Sequence, residues 1–203
     1  MNMTNKGKPQ RRSYRMNARA AAAEATGEAI LEAAKEAFST KPFDRVTLND
    51  VASASGVSVQ TVIRRFGSKE QLFAAVGERE GSRIRTSREV PADASFATAL
   101  DVLLVHYEAD GDVVLHLLSQ EPRFDSVAGA VREGRRVHRD WVERHCAFAI
   151  GGRTGVARER AVLAALVATD LGTWKLLRRD LGLLRGEVAA VMTALVEGMK
   201  EGT

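Results

Sequence analysis

The chain has 203 residues, 45% hydrophobic and 28% charged, the balance of a globular protein able to bury a core. Its single cysteine, Cys146, excludes an intrachain disulfide and a Cys-pair zinc site. The net charge of +4 is unevenly spread: residues 1–88 hold 16 Lys and Arg against 9 Asp and Glu, and residues 89–203 hold 14 against 17, so the front half suits a polyanionic partner.

The first nineteen residues carry six Lys and Arg and no acid, with Gly7 and Pro9, and read as a mobile basic arm over 1–19. No apolar signal segment follows the early basic residues. The longest apolar run, Ala161 to Ala168, is too short to span a bilayer, so a cytoplasmic protein without membrane contact is expected. From about Ala20, the residues Ile30, Ala33, Ala34, Ala37 and Phe38 recur at helical spacing, and Pro42 closes that helix. Thr47 caps a short helix, with Asp50 three residues on. Gly56 interrupts, and Ser58 caps a second short helix to about Arg65. Ser68-Lys69-Glu70-Gln71 is a capping box that opens a fourth helix, ending near Arg88 before Pro91.

Five more helices are expected beyond Pro91. Phe96, Leu100, Leu103, Leu104 and Tyr107 stripe the first, and Asp110-Gly111-Asp112 reads as a break before a short helix over 113–120. Pro122 suits the first turn of the next helix, which runs to about Phe148. After the Gly151-Gly152-Arg153-Thr154-Gly155 loop, one helix is expected from Arg158 to Arg179, ended by Gly182, and a last one over Glu187–Lys200. No segment alternates as a strand does. The expected fold is all-α with about nine helices, divided into the arm, a three-helix head over 20–68 and a helical body over 69–203.

The stretch Val46–Val62 carries the clearest functional signal. A helix-turn-helix needs two short helices crossed steeply about a tight turn, here Gly56, with a small residue, Ala52, where they approach and Val51, Val57 and Val62 in the wedge. The second helix then offers its first residues, Ser58, Val59, Gln60 and Thr61, followed by Arg64, to the major groove. Gln pairs bidentately with adenine, and Val and Thr methyls meet the thymine methyl. Backbone N–H groups at the capped starts, Thr47 and Ser58, suit phosphate oxygens. Arg15, with Arg11, Arg12 and Arg19, can follow the backbone or enter a minor groove.

The block from Thr47 to Leu72, ending Arg65-Phe66-Gly67-Ser68-Lys69-Glu70-Gln71-Leu72, resembles the TetR family of bacterial transcriptional regulators. The resemblance implies that Phe66 packs the head against the fourth helix and that Lys69 touches phosphate. Two positions depart from the family pattern. Ile63 stands where a phosphate-reaching Tyr is usual, and Arg65 where Tyr or His is frequent; the fork of Arg65 can take over the phosphate contact. The resemblance further implies a repressor that binds a palindromic operator in double-stranded DNA as a homodimer and is released by a small, largely apolar effector.

For the dimer, the last two helices supply an apolar stripe, Val188, Val191, Met192, Leu195 and Met199, and a small-residue stripe that includes Ala165, Ala168 and Gly172, with part of each turned inward. For the effector, the polar groups on otherwise apolar helices are His106, Tyr107, His116, His138 and Asp170, beside Trp141, His145 and Trp174. No tight ligand cluster suggests a metal, and no cofactor is expected. The alternative is a helical enzyme or a scaffold without DNA binding. The chain contains no dinucleotide fingerprint, nucleophile elbow, His-Glu-x-x-His or phosphate loop, so no catalytic residue is named.

Overall fold

The computed structural model describes residues 8–91 and 93–199, with residues 8–15 as backbone only. Every regular element among them is helical: α1 (Lys8–Thr40), α2 (Leu48–Ser55), α3 (Val59–Phe66), α4 (Lys69–Ser87), α5 (Phe96–Leu118), α6 (Asp125–His145), α7 (Ala147–Ile150), α8 (Gly155–Thr169), α9 (Leu171–Lys175) and α10 (Arg185–Gly198). Short 3-10 turns over Phe43–Arg45 and Glu121–Arg123 and a π turn over Leu176–Asp180 complete the set. The chain divides into two compact units, and the division falls between Gly77 and Glu78, inside α4.

The helix expected from about Ala20 begins at Lys8, so residues 8–19 of the expected arm are helical; residues 1–7 lie outside the described residues. The physical reason is composition. Between Arg11 and Ala25 the chain is dominated by Arg and Ala, the strongest helix formers, and Pro9 falls in the first turn, where its missing N–H has no intrahelical partner to lose. In the first unit, α1 buries Ile30, Ala34 and Phe38, one face at fourfold spacing. Phe38, Phe43 and Phe73 form an aromatic trio with centroids 5.0–5.7 Å apart, two of the pairs edge-to-face. Val46, Val51, Val62 and Leu72 close this core.

In the second unit, α5 runs without interruption through Asp110-Gly111-Asp112, where a break was expected. Gly111 is buried here and serves packing, not a turn. A Cβ on it would lie 2.7–2.8 Å from the ring of Trp174 and 3.2 Å from Leu171, and Trp174 is itself fully buried. Each flanking acid has an arginine partner, Asp110 Oδ1 with Arg83 at 2.8 Å and Asp112 with Arg179 at 3.1 Å. The single helix expected over 158–179 is also corrected. It starts at Gly155, stops at Thr169, and restarts as α9 because the Asp170 carboxylate accepts the Gly172 N–H at 2.7 Å, a capping bond that ends one helix and begins another. Leu100, Leu103, Leu104, Val162, Trp174, Val188 and Met192 are at the centre of this unit's core.

Replacing Gly111 with Ala forces a methyl against an immobile indole. We expect a loss of about 1–3 kcal/mol in unfolding free energy, the range for overpacking a core, measured by urea denaturation against wild type.

Candidate functional site

Helices of eight residues are too short to persist alone, so α2 and α3 depend on their ends. Thr47 and Asp50 form a reciprocal capping box: Thr47 Oγ1 accepts the Asp50 N–H at 3.1 Å and Asp50 Oδ2 accepts the Thr47 N–H at 3.2 Å. These hydrogen bonds hold the Asp50 carboxyl below its ordinary pKa. At the other end Gly56 takes a left-handed conformation, φ 69°, which lets the Val57 N–H return to the Ala52 carbonyl at 3.0 Å. Ser58 Oγ then accepts the Thr61 N–H at 3.2 Å and starts α3. Val51 and Val62 are fully buried and Ala52 nearly so, while Val57 is half-buried.

Burying Val62 turns the opposite face of α3 outward. Ser58, Gln60, Ile63, Arg64 and Arg65 are exposed, and Val59 and Thr61 are half-buried. The Thr61 hydroxyl pairs with that of Ser58 at 3.0 Å. Arg65 is engaged within the head: its Nη1 donates to the Ala23 carbonyl of α1 at 2.7 Å, and its guanidinium lies where a Cβ on Gly27 would stand. Lys69 Nζ donates to the Phe43 carbonyl at 2.9 Å and sits 4.5 Å from the Phe43 ring centroid. Both cations keep further N–H donors for a phosphate. Thr47 is exposed and Phe66 half-buried. Arg15 has helical backbone, and its side chain lies outside the described residues. Sequence reading missed Gly27 and Ala23; an isolated glycine in an alanine-rich helix was the available signal.

In the second unit, Tyr107 is buried and its OH donates to the Thr169 carbonyl at 3.0 Å. The Thr169 hydroxyl donates to the Ala165 carbonyl at 2.8 Å and lies 3.2 Å from His138 Nε2. His138 stacks on Trp141, centroids 5.8 Å apart and planes 12° off parallel, and His145 packs against Trp141 at 5.1 Å with its plane tilted by 45°. His106 Nδ1 is 3.1 Å from Asp110 Oδ2, although neither atom has an aligned hydrogen bond. Trp174 donates its indole N–H to Glu108 at 3.3 Å and lies 5.9 Å from the Tyr107 ring. His116 is half-buried, and Asp170 is an exposed helix cap. Sequence reading missed Thr169 and Arg88, whose guanidinium lies 5.6 Å over the Tyr107 ring; no local pattern marks either.

Of the residues expected at a dimer surface, Ala165, Ala168, Val188 and Met192 are buried within this unit, so they face its own core. Val191, Leu195 and Gly172 are exposed, and Met199 is half-buried. Leu195 and Met199 join Leu163, Ala164 and Val167 in an open apolar groove on α8 and α10. Leu163 and Val167 are 49% and 69% exposed. Their alternation with the buried alanines is the inward and outward split of one helix.

Residues 30–76, which hold this capped pair of helices, match the family model described as bacterial regulatory proteins, tetR family. The match covers the head, which is therefore similar to the DNA-binding head of TetR-family regulators. The chain is 32% identical over 114 residues to the HTH-type transcriptional repressor Rv3405c of Mycobacterium tuberculosis, covering 54% of this chain and 60% of that protein. It is 29% identical over 77 residues to the HTH-type transcriptional regulator AlkX of the same organism, covering 38% of this chain and 36% of that one. The matched stretches thus span less than two thirds of these relatives' lengths. The fold is similar to that of a TetR-like transcriptional regulator from Rhodococcus sp. RHA1, with a TM-score of 0.67 at 19% identity over 88% of this chain and 97% of that one. No helix among the described residues is long and apolar enough to cross a membrane, and no group of three potential metal ligands occurs among them.

Burial, reinforced by the nearby Arg88 charge, depresses His106 and His138 to about 4 in the second unit, with Asp110 opposing the shift at His106 and Asp170 at His138. Unfolded histidines titrate near 6.5, so below that value the unfolded chain takes up protons that the folded one refuses. Stability is therefore full above pH 6.5 and declines towards pH 4. We expect the melting temperature to fall between pH 6.5 and 5, where carboxylates stay ionised, and the slope to flatten in a His106→Asn, His138→Asn double variant, measured by thermal denaturation across that range.

Proposed function

We propose that this chain is a transcriptional repressor that binds a palindromic operator in double-stranded DNA as a homodimer and releases it when a small, largely apolar molecule enters the body. The observation that carries the DNA reading is the outward face of α3. Ser58, Gln60 and Arg64 stand exposed at the start and middle of a capped helix whose opposite side is fixed by buried Val62. That is the side-chain set and exposure needed to meet base edges, with Val59 and Thr61 offering methyls to thymine. Thr47 and the N–H groups of α2, together with Arg65, Lys69 and Arg15, are assigned to the phosphate backbone, where contacts set register and strength without reading sequence. In this assignment residues 20–68 read DNA, and residues 69–203 sense the effector and dimerise. A relative designated a repressor favours repression over activation. A regulator of this kind works in the cytoplasm.

One α3 covers too few base pairs for selectivity, and a twofold dimer solves this by reading two half-sites. The outward apolar groove of Leu163, Val167, Leu195 and Met199, extended by Val191, is the surface assigned to the partner copy. An effector shifts the operator equilibrium only by the difference in its affinity for the two states of the body. α4, which contributes residues to both units, is the element assigned to carry that difference.

Selection from a random DNA pool at stated salt is expected to return an inverted repeat. On that operator Gln60→Ala should cost about 1–3 kcal/mol and relax the preference at one position per half-site. Lys69→Ala should weaken all sequences alike and reduce the salt slope by about one. Unaltered operator binding by both variants would sink the placement of the reading surface. For the dimer, Val167→Glu with Leu195→Glu puts charge into the groove. We expect a monomer by sedimentation and loss of operator binding, with the melting temperature of the monomer otherwise little changed because both side chains are already exposed.

A further inference from the structure

Gly27 lies inside α1 with a backbone that does not call for glycine. Its φ is outside the left-handed region, and alanine is the more stable residue in a helix interior. What the position requires is volume. Gly27 is buried, and the atoms nearest to where its Cβ would stand are Nη2, Cζ and Nε of Arg65. One turn earlier on the same face of α1, the Ala23 carbonyl accepts from Arg65 Nη1 at 2.7 Å. A notch and an acceptor, both features of the α1 backbone, together make a seat for a guanidinium that comes from the last turn of α3.

Gly111 shows the contrast. There the absent Cβ makes room for a buried indole that cannot move, whereas the notch at Gly27 is filled by the far end of an exposed, flexible side chain. A methyl at 27 therefore leaves the fold standing and expels the guanidinium from its seat. The seated group keeps most of its capacity to bind, since a guanidinium has five N–H donors and the Ala23 carbonyl takes one. Arg65 adjoins Arg64 at the end of α3, and both are exposed. Holding a long side chain in place before a partner arrives removes its ordering cost from the binding step. A guanidinium of fixed orientation also suits the paired oxygens of a phosphate.

We propose that Gly27 is a positioning residue for DNA: it admits the Arg65 guanidinium to its seat on α1, from which the remaining donors meet a backbone phosphate. The inference rests on the reading of α3 as the DNA-contacting helix and adds a determinant of affinity that lies outside the helix-turn-helix.

The test uses the full chain as wild type, Gly27→Ala, Arg65→Gln and the double variant. Without DNA, the Arg65 Nε–H should give the heteronuclear NOE of an ordered group in wild type and of a mobile one in Gly27→Ala. The melting temperature of Gly27→Ala should equal or exceed that of wild type. On the selected operator, Gly27→Ala should weaken binding by about threefold to tenfold, the cost of ordering one long side chain at an interface. Arg65→Gln should weaken it by roughly tenfold or more and reduce the salt slope by about one. Base preference should be unchanged in both, and the double variant should bind no more weakly than Arg65→Gln alone. A full salt slope in Arg65→Gln would make the pair a brace between helices and overturn the proposal. So would wild-type affinity in Gly27→Ala, or a changed base preference in that variant, which would mean that α3 has tilted. If the wild-type chain selects no DNA, the DNA reading falls and this inference with it; the other adverse results arise on a bound operator and count against the inference alone.

Discussion

The head depends on one backbone constraint, the left-handed turn at Gly56. Two eight-residue helices have little intrinsic stability, and each exists here because its orphaned end groups are satisfied and one face is buried. The turn brings Val62 of α3 into the same core as Val51 and Ala52 of α2, and Val62 in turn decides which side of α3 faces solvent. A residue with a Cβ at position 56 would meet open space but would still pay the left-handed backbone penalty, so conformation and not room is the reason for glycine there. The exposed row from Ser58 to Arg64 is a consequence of this turn.

A second tier of contacts ties α3 and the start of α4 to the rest of the head through long cations. Arg65 reaches the Ala23 carbonyl, 42 residues earlier, and packs against Gly27; Lys69 reaches the Phe43 carbonyl and ring. Sequence alone offers these side chains as phosphate ligands. The fold employs them first as braces, which sets where any remaining donor can point. Gly27 and Arg65 are a matched pair in this respect, since the guanidinium occupies the volume that a side chain at 27 would need.

The body is organised by the opposite problem, polar groups inside an apolar core. Tyr107, Thr169 and His138 are arranged so that each donor has one acceptor along the line from the Tyr107 hydroxyl to the Ala165 carbonyl. Glu108 is shared between the Trp174 indole and Arg178, and keeps the indole N–H satisfied at a fully buried ring. Arg88, His106 and the second nitrogen of His138 fall outside this accounting. Native cores rarely leave such groups unserved.

The all-helical class, the helix-turn-helix and its caps were legible in the chain because they arise from local chemistry. Capping at Thr47, Ser58 and Ser68 involves residues three apart, and the Gly56 turn is equally short in range. What only the tertiary structure decided depends on partners distant in sequence. Asp110-Gly111-Asp112 has the composition of a turn, yet Trp174, 63 residues on, makes Gly111 a helix-packing position. The same holds for Arg88, which resembles any helix-end arginine until the Tyr107 ring is beneath it. It holds too for Ala165 and Val188 against Val167 and Leu195, where neighbouring residues of one stripe divide between core and surface. Periodicity marks an apolar face, but only the packing of other helices determines how much of that face is covered.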